Sequence, residues 1–381
     1  MKVGIITIHN STSYGACLQS YALWKYIVKQ GLDCEIIDLR RPVHGDYKKS
    51  KDFTPMHPVT VSLKSKFIAK IVEFIAPLIN KGIRDREKKF DQFNAQIVLS
   101  KRYHSVDSIY ETPPSYDLYI TGSDQVWNPY QPFCMEPYFL TFVTDKKAKK
   151  ISYASSIGLT ELSKREQELF WKWLDTYDAI GVREKEAQNL IASFSEKSTT
   201  LVLDPTFLLD KQDWLKQIVP YRISKPYVLL FTLNGNAELA KYACKYAESK
   251  GLHLVVIGGA VKNLIYRDFT YLNTVGPQEF LGLFNEAECV FTDSFHGTAF
   301  SIILGKGDFY SYISAGNERG SRITNLLSLL QIEERLLPVD KVVKKDIVSI
   351  RLNRKEMEEK LKLLQASSRQ FLNQYLDEKR I

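Results

Sequence analysis

Val3-Gly4-Ile5-Ile6-Thr7-Ile8, followed by His9-Asn10-Ser11-Thr12-Ser13 and, further on, by Gly31 and Cys34-Glu35-Ile36-Ile37-Asp38, is the stretch whose reading decides the fold. The first apolar run is short and ends in polar residues, as a buried strand does. Between residues 15 and 30, Leu18, Leu23 and Tyr26, with Ala22 and Ile27, recur at helical spacing, and Gly31 stops the helix. Residues 34–38 read as a second strand. Strand, helix and strand in that order make a β-α-β unit, which calls for a parallel sheet.

The alternation continues outward from there. Residues 118–121, 151–154, 179–182 and 200–203 read as strands, with helices at 163–176 and 184–191. Asp204-Pro205 breaks the pattern and a polar stretch, 211–224, comes next. A second alternation then begins, with strands at 227–231, 254–257 and 289–291 and helices at 238–249, 277–285 and 298–304. The sequence therefore predicts an α/β protein of two Rossmann-like doubly wound domains rather than one very large sheet. The expected division is 1–210, 211–350 and a C-terminal helix in 351–381. That last helix, 354–378, carries Leu361, Leu364 and Leu372 on its apolar side and is expected to cross back to the first domain.

Residues 42–115 interrupt the first alternation and read as a helical insertion in the first domain. Within it Leu63, Phe67, Ile71, Phe74 and Leu78 form a stripe at helical spacing. Lys64, Lys66 and Lys70 flank the stripe, and Lys81, Arg84, Arg86, Lys88 and Lys89 come after it. Two readings stay open: a core-facing helix with a solvated basic face, or a helix that touches an anionic membrane surface.

Composition limits the function classes. The chain has 381 residues, 44% hydrophobic and 25% charged, which is ordinary globular composition and excludes disordered, collagen-like and disulfide-scaffold proteins. Its 52 basic and 44 acidic residues leave a net charge of +8, a mild bias without the basic, aromatic-interleaved stripe of a nucleic-acid binder, so no nucleic-acid partner is expected. The five cysteines, Cys17, Cys34, Cys134, Cys244 and Cys289, are odd in number and widely spaced, and read as core thiols of a reducing compartment. The first apolar run is too short for a signal-peptide core and no apolar run is long enough to span a membrane, so a cytoplasmic location is expected. No phosphate-binding P-loop, dinucleotide fingerprint, zinc-protease or serine-hydrolase motif occurs.

In open α/β sheets ligands bind beyond the carboxyl ends of the strands. Four such segments stand out. After the first strand, Asn10, Tyr14 and Gly15 lie where a helix begins, and backbone N–H groups there could hold hydroxyls or an anion; Ser/Thr capping of the helix is the competing reading. In Gly122-Ser123-Asp124-Gln125-Val126-Trp127, Ser123 and Asp124 offer hydrogen bonds, Asp124 could take a proton from a sugar hydroxyl, and Trp127 could stack on the ring; a packed Asx-type turn competes. Arg183 ends a strand and could bind carboxylate or phosphate, or form a structural ion pair with a neighbouring glutamate. Ser294-Phe295-His296-Gly297-Thr298 puts His296 at a strand–helix turn, where a bound anion would make it a credible general acid. Arg319 and Arg322 add two cations before a helix at 323–330.

Across these segments the chain resembles the polysaccharide pyruvyl transferase family. The likeness is carried, in order, by residues 10–16 with Leu18-Gln19, by 122–128, by Ser152-Tyr153-Ala154-Ser155-Ser156-Ile157-Gly158, by Val182-Arg183-Glu184, by Asp204-Pro205-Thr206 and by Thr292-Asp293-Ser294-Phe295-His296-Gly297. It implies two Rossmann-like halves facing across a cleft, as in GT-B glycosyltransferases, and an enzyme of bacterial surface-polysaccharide (capsule or exopolysaccharide) biosynthesis that moves pyruvate from phosphoenolpyruvate onto two sugar hydroxyls as a ketal. Phosphoenolpyruvate is then the co-substrate, and neither a metal nor another cofactor is needed. The implied partners are phosphoenolpyruvate and a lipid-linked saccharide acceptor, with peripheral contact at the inner face of the membrane. Arg183, Ser294, His296, Gly297, Thr298, Arg319 and Arg322 would then serve the donor, and Asn10, Tyr14, Gly15, Ser123, Asp124 and Trp127 the acceptor, with His296, Asp124 and Arg183 catalytic. One departure is plain: characterised members can carry Arg two residues before this His, where this chain has Ser294. Arg322, Arg319 or Lys306 could replace it, or the donor could differ. A glycosyltransferase using a nucleotide sugar and a non-catalytic carbohydrate-binding protein remain the two other readings of the same elements.

Overall fold

The computed structural model describes residues 1–57, 81–261, 264, 266–314, 320–338 and 352–377. The chain forms two compact units, one made of Met1–Lys81, Asn94–Leu208 and Leu364–Ile381, the other of Gly82–Phe93 and Leu209–Leu363.

The first unit is a parallel sheet of β1 (Lys2–Ile6), β2 (Asp33–Leu39), β3 (Leu99–Tyr103), β4 (Leu118–Thr121), β5 (Lys149–Ser155), β6 (Ala179–Val182) and β7 (Thr199–Leu201). Their order across the sheet is β3-β2-β1-β4-β5-β6-β7. The chain thus runs outward from β1 to one side, then returns to lay β4 against β1 and runs to the other side. Between β1 and β4 the strand order reverses, with Val3 opposite Leu118 and Ile6 opposite Thr121. The helix Tyr14–Lys29 that joins β1 to β2 is buried nearly all round, which matches its unusually apolar sequence. Trp127, Phe139, Phe170, Trp173 and Tyr177 belong to the core of this unit.

The second unit repeats the plan on a smaller scale with β8 (Tyr227–Thr232), β9 (His253–Gly258), β10 (Phe269–Leu272), β11 (Cys289–Thr292) and β12 (Phe309–Ser311), ordered β10-β9-β8-β11-β12. Its reversal lies between β8 and β11, where Cys289 pairs with Val228 and Thr292 with Phe231. Strands β8 and β11 are buried throughout, so they read as continuous apolar runs, as interior parallel strands do.

Several expectations change. Strands β3, β10 and β12 are not legible in the sequence, and all three end a ladder at a sheet edge. β3 carries exposed Lys101 and Arg102, β10 is nowhere fully buried, and β12 is buried but only three residues long. The polar stretch after Asp204-Pro205 contains a short helix, Lys211–Leu215. From the expected insertion, Gly82–Phe93 belongs to the second unit rather than the first. There Lys89 donates to Glu279 at 2.7 Å and to the Thr274 carbonyl at 2.9 Å, so one cation of the basic run is internally paired. The helix Arg354–Leu376 is divided between the units, with Leu364 and the residues after it belonging to the first. The apolar stripe at 61–79, with Lys64, Lys66 and Lys70, lies outside the described residues, as does Arg319. Among the described residues no helix is long and apolar enough to cross a membrane. The five thiols are free, and four are buried.

The tightest steric constraint on the first sheet is at Gly4 in β1, where a Cβ would stand 2.2 to 2.7 Å from the ring of Tyr116. Gly4→Ala is therefore expected to cost about 1–3 kcal/mol through overpacking. A lowered urea midpoint with an unchanged far-ultraviolet spectrum would register this.

Candidate functional site

The polar segments expected to carry chemistry lie at the two reversals of strand order, each in its own unit. In the first unit the loops after β1 and β4 interlock. Gly122 N–H donates to the Ile6 carbonyl at 2.8 Å, and the Thr7 hydroxyl donates to the Ser123 carbonyl at 3.0 Å. Gln19 from the adjoining helix donates to the Thr7 hydroxyl and to the Ile8 carbonyl. Asn10, Tyr14 and Gly15 stand beside this junction: Asn10 has a left-handed φ of 48°, and Tyr14 and Gly15 open the helix. The N-cap residue is Ser13, and its side chain makes no capping bond, so capping does not account for the polar run.

Asp124 also has a left-handed φ, 76°, a conformation that costs a non-glycine residue about 1 kcal/mol or more and is held here by the surrounding bonds. Its carbonyl accepts from Val126 N–H at 2.8 Å and Ser156 N–H at 3.0 Å, and its carboxylate accepts from Gln125 N–H at 2.9 Å. The carboxylate keeps 21% of its side-chain surface exposed. It is thus fixed by its own backbone and still reachable, which suits a group that orients a hydroxyl.

Arg183 takes a different place from the one expected. Its side chain is only 2% exposed, and Nη1 donates to Asp204 Oδ2 at 2.9 Å and Ser123 Oγ at 3.3 Å. Glu184 lies 3.6 Å and Asp124 3.9 Å from other guanidinium nitrogens. Asp204 is fully enclosed and also accepts from the Thr206 N–H and hydroxyl. Arg183 thus forms the structural ion pair with the neighbouring Glu184 that the sequence allowed, and a closer one with Asp204, a carboxylate 21 residues away. The strand–loop pattern could not show this, because the pairing depends on β6 and the segment after β7 being neighbours in space. The guanidinium therefore acts on the loops, and direct contact with a donor is not what this geometry offers.

Trp127 is likewise displaced from its expected role. It is wholly buried, stacks on Phe139 at 5.0 Å between ring centroids and donates its indole N–H to the Tyr138 carbonyl at 2.9 Å. No ring face is left for a sugar. Ser123 is buried as well, with its hydroxyl donating to Asp204 at 3.1 Å. Both belong to the support of Asp124.

In the second unit the helix Phe295–Ile303 begins three residues before the expected start, so His296 sits in its first turn, 8% exposed, with its ring edge-on to Phe295. Ser294 is the N-cap, accepting from Gly297 N–H at 3.4 Å. Gly297 is required for closeness rather than for backbone freedom, since a Cβ there would stand 2.2 Å from the Thr292 hydroxyl. Thr298 is buried, its hydroxyl paired with that of Ser311 at 2.7 Å. Arg322 lies in the first turn of the helix Ser321–Leu330, half-buried rather than on a loop. Lys306 is half-buried and donates to the Asn285 carbonyl at 2.8 Å.

One residue of this unit escapes a reading of the sequence: Asp293. It stands at the reversal itself, accepting from the Thr232 hydroxyl at 2.7 Å and the Leu233 N–H at 2.8 Å, and burial pushes its carboxyl up. Its place directly after an apolar strand is the available signal. His9 and Asp38 escape it too. His9 Nε2 lies 3.2 Å from Asp38, and Arg102 from β3 donates to the same carboxylate at 2.9 Å. Burial alone would raise the Asp38 carboxyl. The bonds from His9 and Arg102 and the charges of His9 and Arg40 outweigh it and hold the group well below the usual carboxylate range.

Two outcomes are expected. Arg183→Met strands the Asp204 carboxylate and should cost about 3–5 kcal/mol, whereas Arg183→Met with Asp204→Leu should recover most of it; equilibrium denaturation of the cycle measures both. Asp38 has a depressed folded pKa, so its contribution is present above about pH 4 and lost as pH falls further. The stability gap between the parent and Asp38→Asn should therefore be full at neutral pH and close on acidification, as thermal unfolding across about pH 2.5–7 would record.

Known proteins share both the sequence pattern and the architecture. The pattern described as polysaccharide pyruvyl transferase matches residues 14–307. No curated protein matches the chain. Among solved structures, UGT89C1 of Arabidopsis thaliana superposes with a TM-score of 0.51 at 12% identity, covering 100% of this chain and 99% of that one. The UDP-GlcNAc 2-epimerase of Neisseria meningitidis bound to UDP-GlcNAc gives 0.49 at 9% identity, covering 97% and 94%. Alr3699/HepE of Anabaena in complex with UDP-glucose gives 0.48 at 9% identity, covering 99% and 98%. At 12% identity the likeness to UGT89C1 speaks for the fold alone, two Rossmann-like domains of the GT-B class. The matched range includes Asp124, Arg183 and His296, and the chain belongs to the polysaccharide pyruvyl transferase family.

Proposed function

We propose that this protein transfers the pyruvyl group of phosphoenolpyruvate to two hydroxyls of a saccharide acceptor, forming a cyclic ketal in surface-polysaccharide biosynthesis. Family membership supports the transferase class and the saccharide. The observation that carries the rest is His296, a titratable side chain in the first turn of a helix at the reversal of the second sheet. Helix N–H groups there favour a bound anion, and phosphoenolpyruvate is a small anion whose reaction begins with a proton.

In this reading His296 gives its proton to C3 of the enol phosphate, which becomes the methyl group, and positive charge develops at C2. An acceptor hydroxyl attacks C2 and gives up its proton to water. Phosphate then leaves C2 with its bonding electrons, and the second hydroxyl attacks there and loses its proton to close the ketal. No redox partner is involved, and the products are the ketal and inorganic phosphate. Arg322 is the cation proposed for the donor phosphate. Ser294, Gly297 and Thr298 shape and cap the helix start, and Asn10, Tyr14 and Gly15 form the acceptor side with Asp124. Arg183 is a positioning residue, holding Ser123 and Asp204 around the Asp124 loop.

General acid help of this kind is worth about 10²–10⁴-fold. His296→Ala is therefore expected to release phosphate from phosphoenolpyruvate, in the presence of a lipid-linked or nitrophenyl glycoside, slower by that factor, with the pyruvate ketal tracked by mass spectrometry. A near-normal rate would remove His296 from the role. Stabilisation by a nucleoside diphosphate and not by phosphoenolpyruvate would move the assignment to glycosyl transfer.

A further inference from the structure

We propose that Arg41 recognises an oxyanion carried by the acceptor, a phosphate or carboxylate on the saccharide; the word acceptor here rests on the pyruvyl-transfer reading. The loop after β2 holds a charge imbalance. Asp38 and Asp46 are the carboxylates of this cluster, and two arginines engage both. Arg40 lies 3.6 Å from Asp38 and 3.1 Å from Asp46, and Arg102 lies 2.9 Å and 3.2 Å from the same pair. Arg41 is left over. It is 7% exposed, and among the described residues it has no carboxylate partner.

What surrounds Arg41 does not neutralise it. Nη2 donates to the His9 carbonyl at 2.5 Å, the guanidinium lies 5.8 Å from the centroid of the Phe133 ring, and Nε has no hydrogen-bond partner. His44 is held as a dipole: its Nδ1 must accept, because the Arg41 N–H donates to it at 2.9 Å, and its Nε2 is then the donor to the Asn10 carbonyl at 3.0 Å. Burial pushes the His44 imidazole down, and the charges of Arg41, Arg40 and His9 push the same way against the bond to Asn10. The local field is therefore positive. A buried cation without a counter-charge is costly, and such costs persist where a ligand supplies the missing charge.

Its location says which ligand. Its own bond to His9 and, through His44, the bond to Asn10 fasten Arg41 to the polar segment after β1, beside the reversal of the first sheet and the left-handed Asn10. That is the acceptor side of the proposed reaction. Neutral sugar hydroxyls do not call for a buried guanidinium, whereas phosphate and carboxylate take its paired N–H donors.

The test is calorimetric titration of the full chain and of Arg41→Met with α-glucose 1-phosphate, glucose and phosphoenolpyruvate. The parent is expected to prefer glucose 1-phosphate to glucose by about tenfold or more, and Arg41→Met to erase that preference while holding phosphoenolpyruvate within about twofold. Without ligand, Arg41→Met should melt no lower than the parent, because it removes an uncompensated charge. Should it fail to fold, Arg41→Lys carries the comparison and is expected to lose most of the preference with the paired donors. Equal affinity of the parent for the two sugars, or a preference that survives the substitution, overturns the proposal. Weakening of phosphoenolpyruvate instead assigns Arg41 to the donor and also overturns it. A protein that keeps the Arg41-dependent preference yet transfers no pyruvate would lose the pyruvyl reading alone.

Discussion

The ion pair between Arg183 and Asp204 is the constraint on which the first unit's site depends. One guanidinium, sealed from solvent, holds the segment after β7 through Asp204 and the loop after β4 through Ser123. Glu184, next to it, accepts from the Ser156 hydroxyl and from Gly158 N–H, which adds the loop after β5. Loops at the carboxyl edge of a parallel sheet have no ladder of their own to fix them. Here charge in a low-dielectric pocket replaces the ladder. The left-handed Asp124 is sustained because its neighbours on both sides are pinned.

The second unit reaches the same end by close packing. Gly297 lets the helix that bears His296 press against Thr292 at the end of β11, and Ser294 closes its first turn. Asp293 ties that turn across to β8 through Thr232 and Leu233. The helix start is thereby fixed against a buried strand end by packing and a few hydrogen bonds.

The net charge of +8 resolves into different local situations. Lys89 is internally paired with Glu279, and Arg40 and Arg102 share Asp38 and Asp46. Arg41 is the buried cation of the first unit whose counter-charge is not supplied by the described residues around it. A composition average cannot separate these cases, since pairing is a property of neighbours in space.

The sequence by itself determined the class of fold, because short apolar runs alternate with stretches of helical spacing, and that alternation calls for parallel sheets. Strands β1, β4, β6, β8 and β11 were legible for that reason, and so were the polar segments that come after them. The edge strands β3 and β10 were not, because they keep exposed residues and carry little apolar signal, and β12 was not because it is only three residues long. Only the tertiary structure decided what the side chains do. Trp127 reads as a sugar platform until it is found stacked inside the core, and Arg183 reads as a ligand cation until Asp204 is found beside it. Arg41 draws no notice in sequence at all. Its meaning comes from which carboxylates its neighbours have already taken, and that is settled by contacts between residues far apart along the chain.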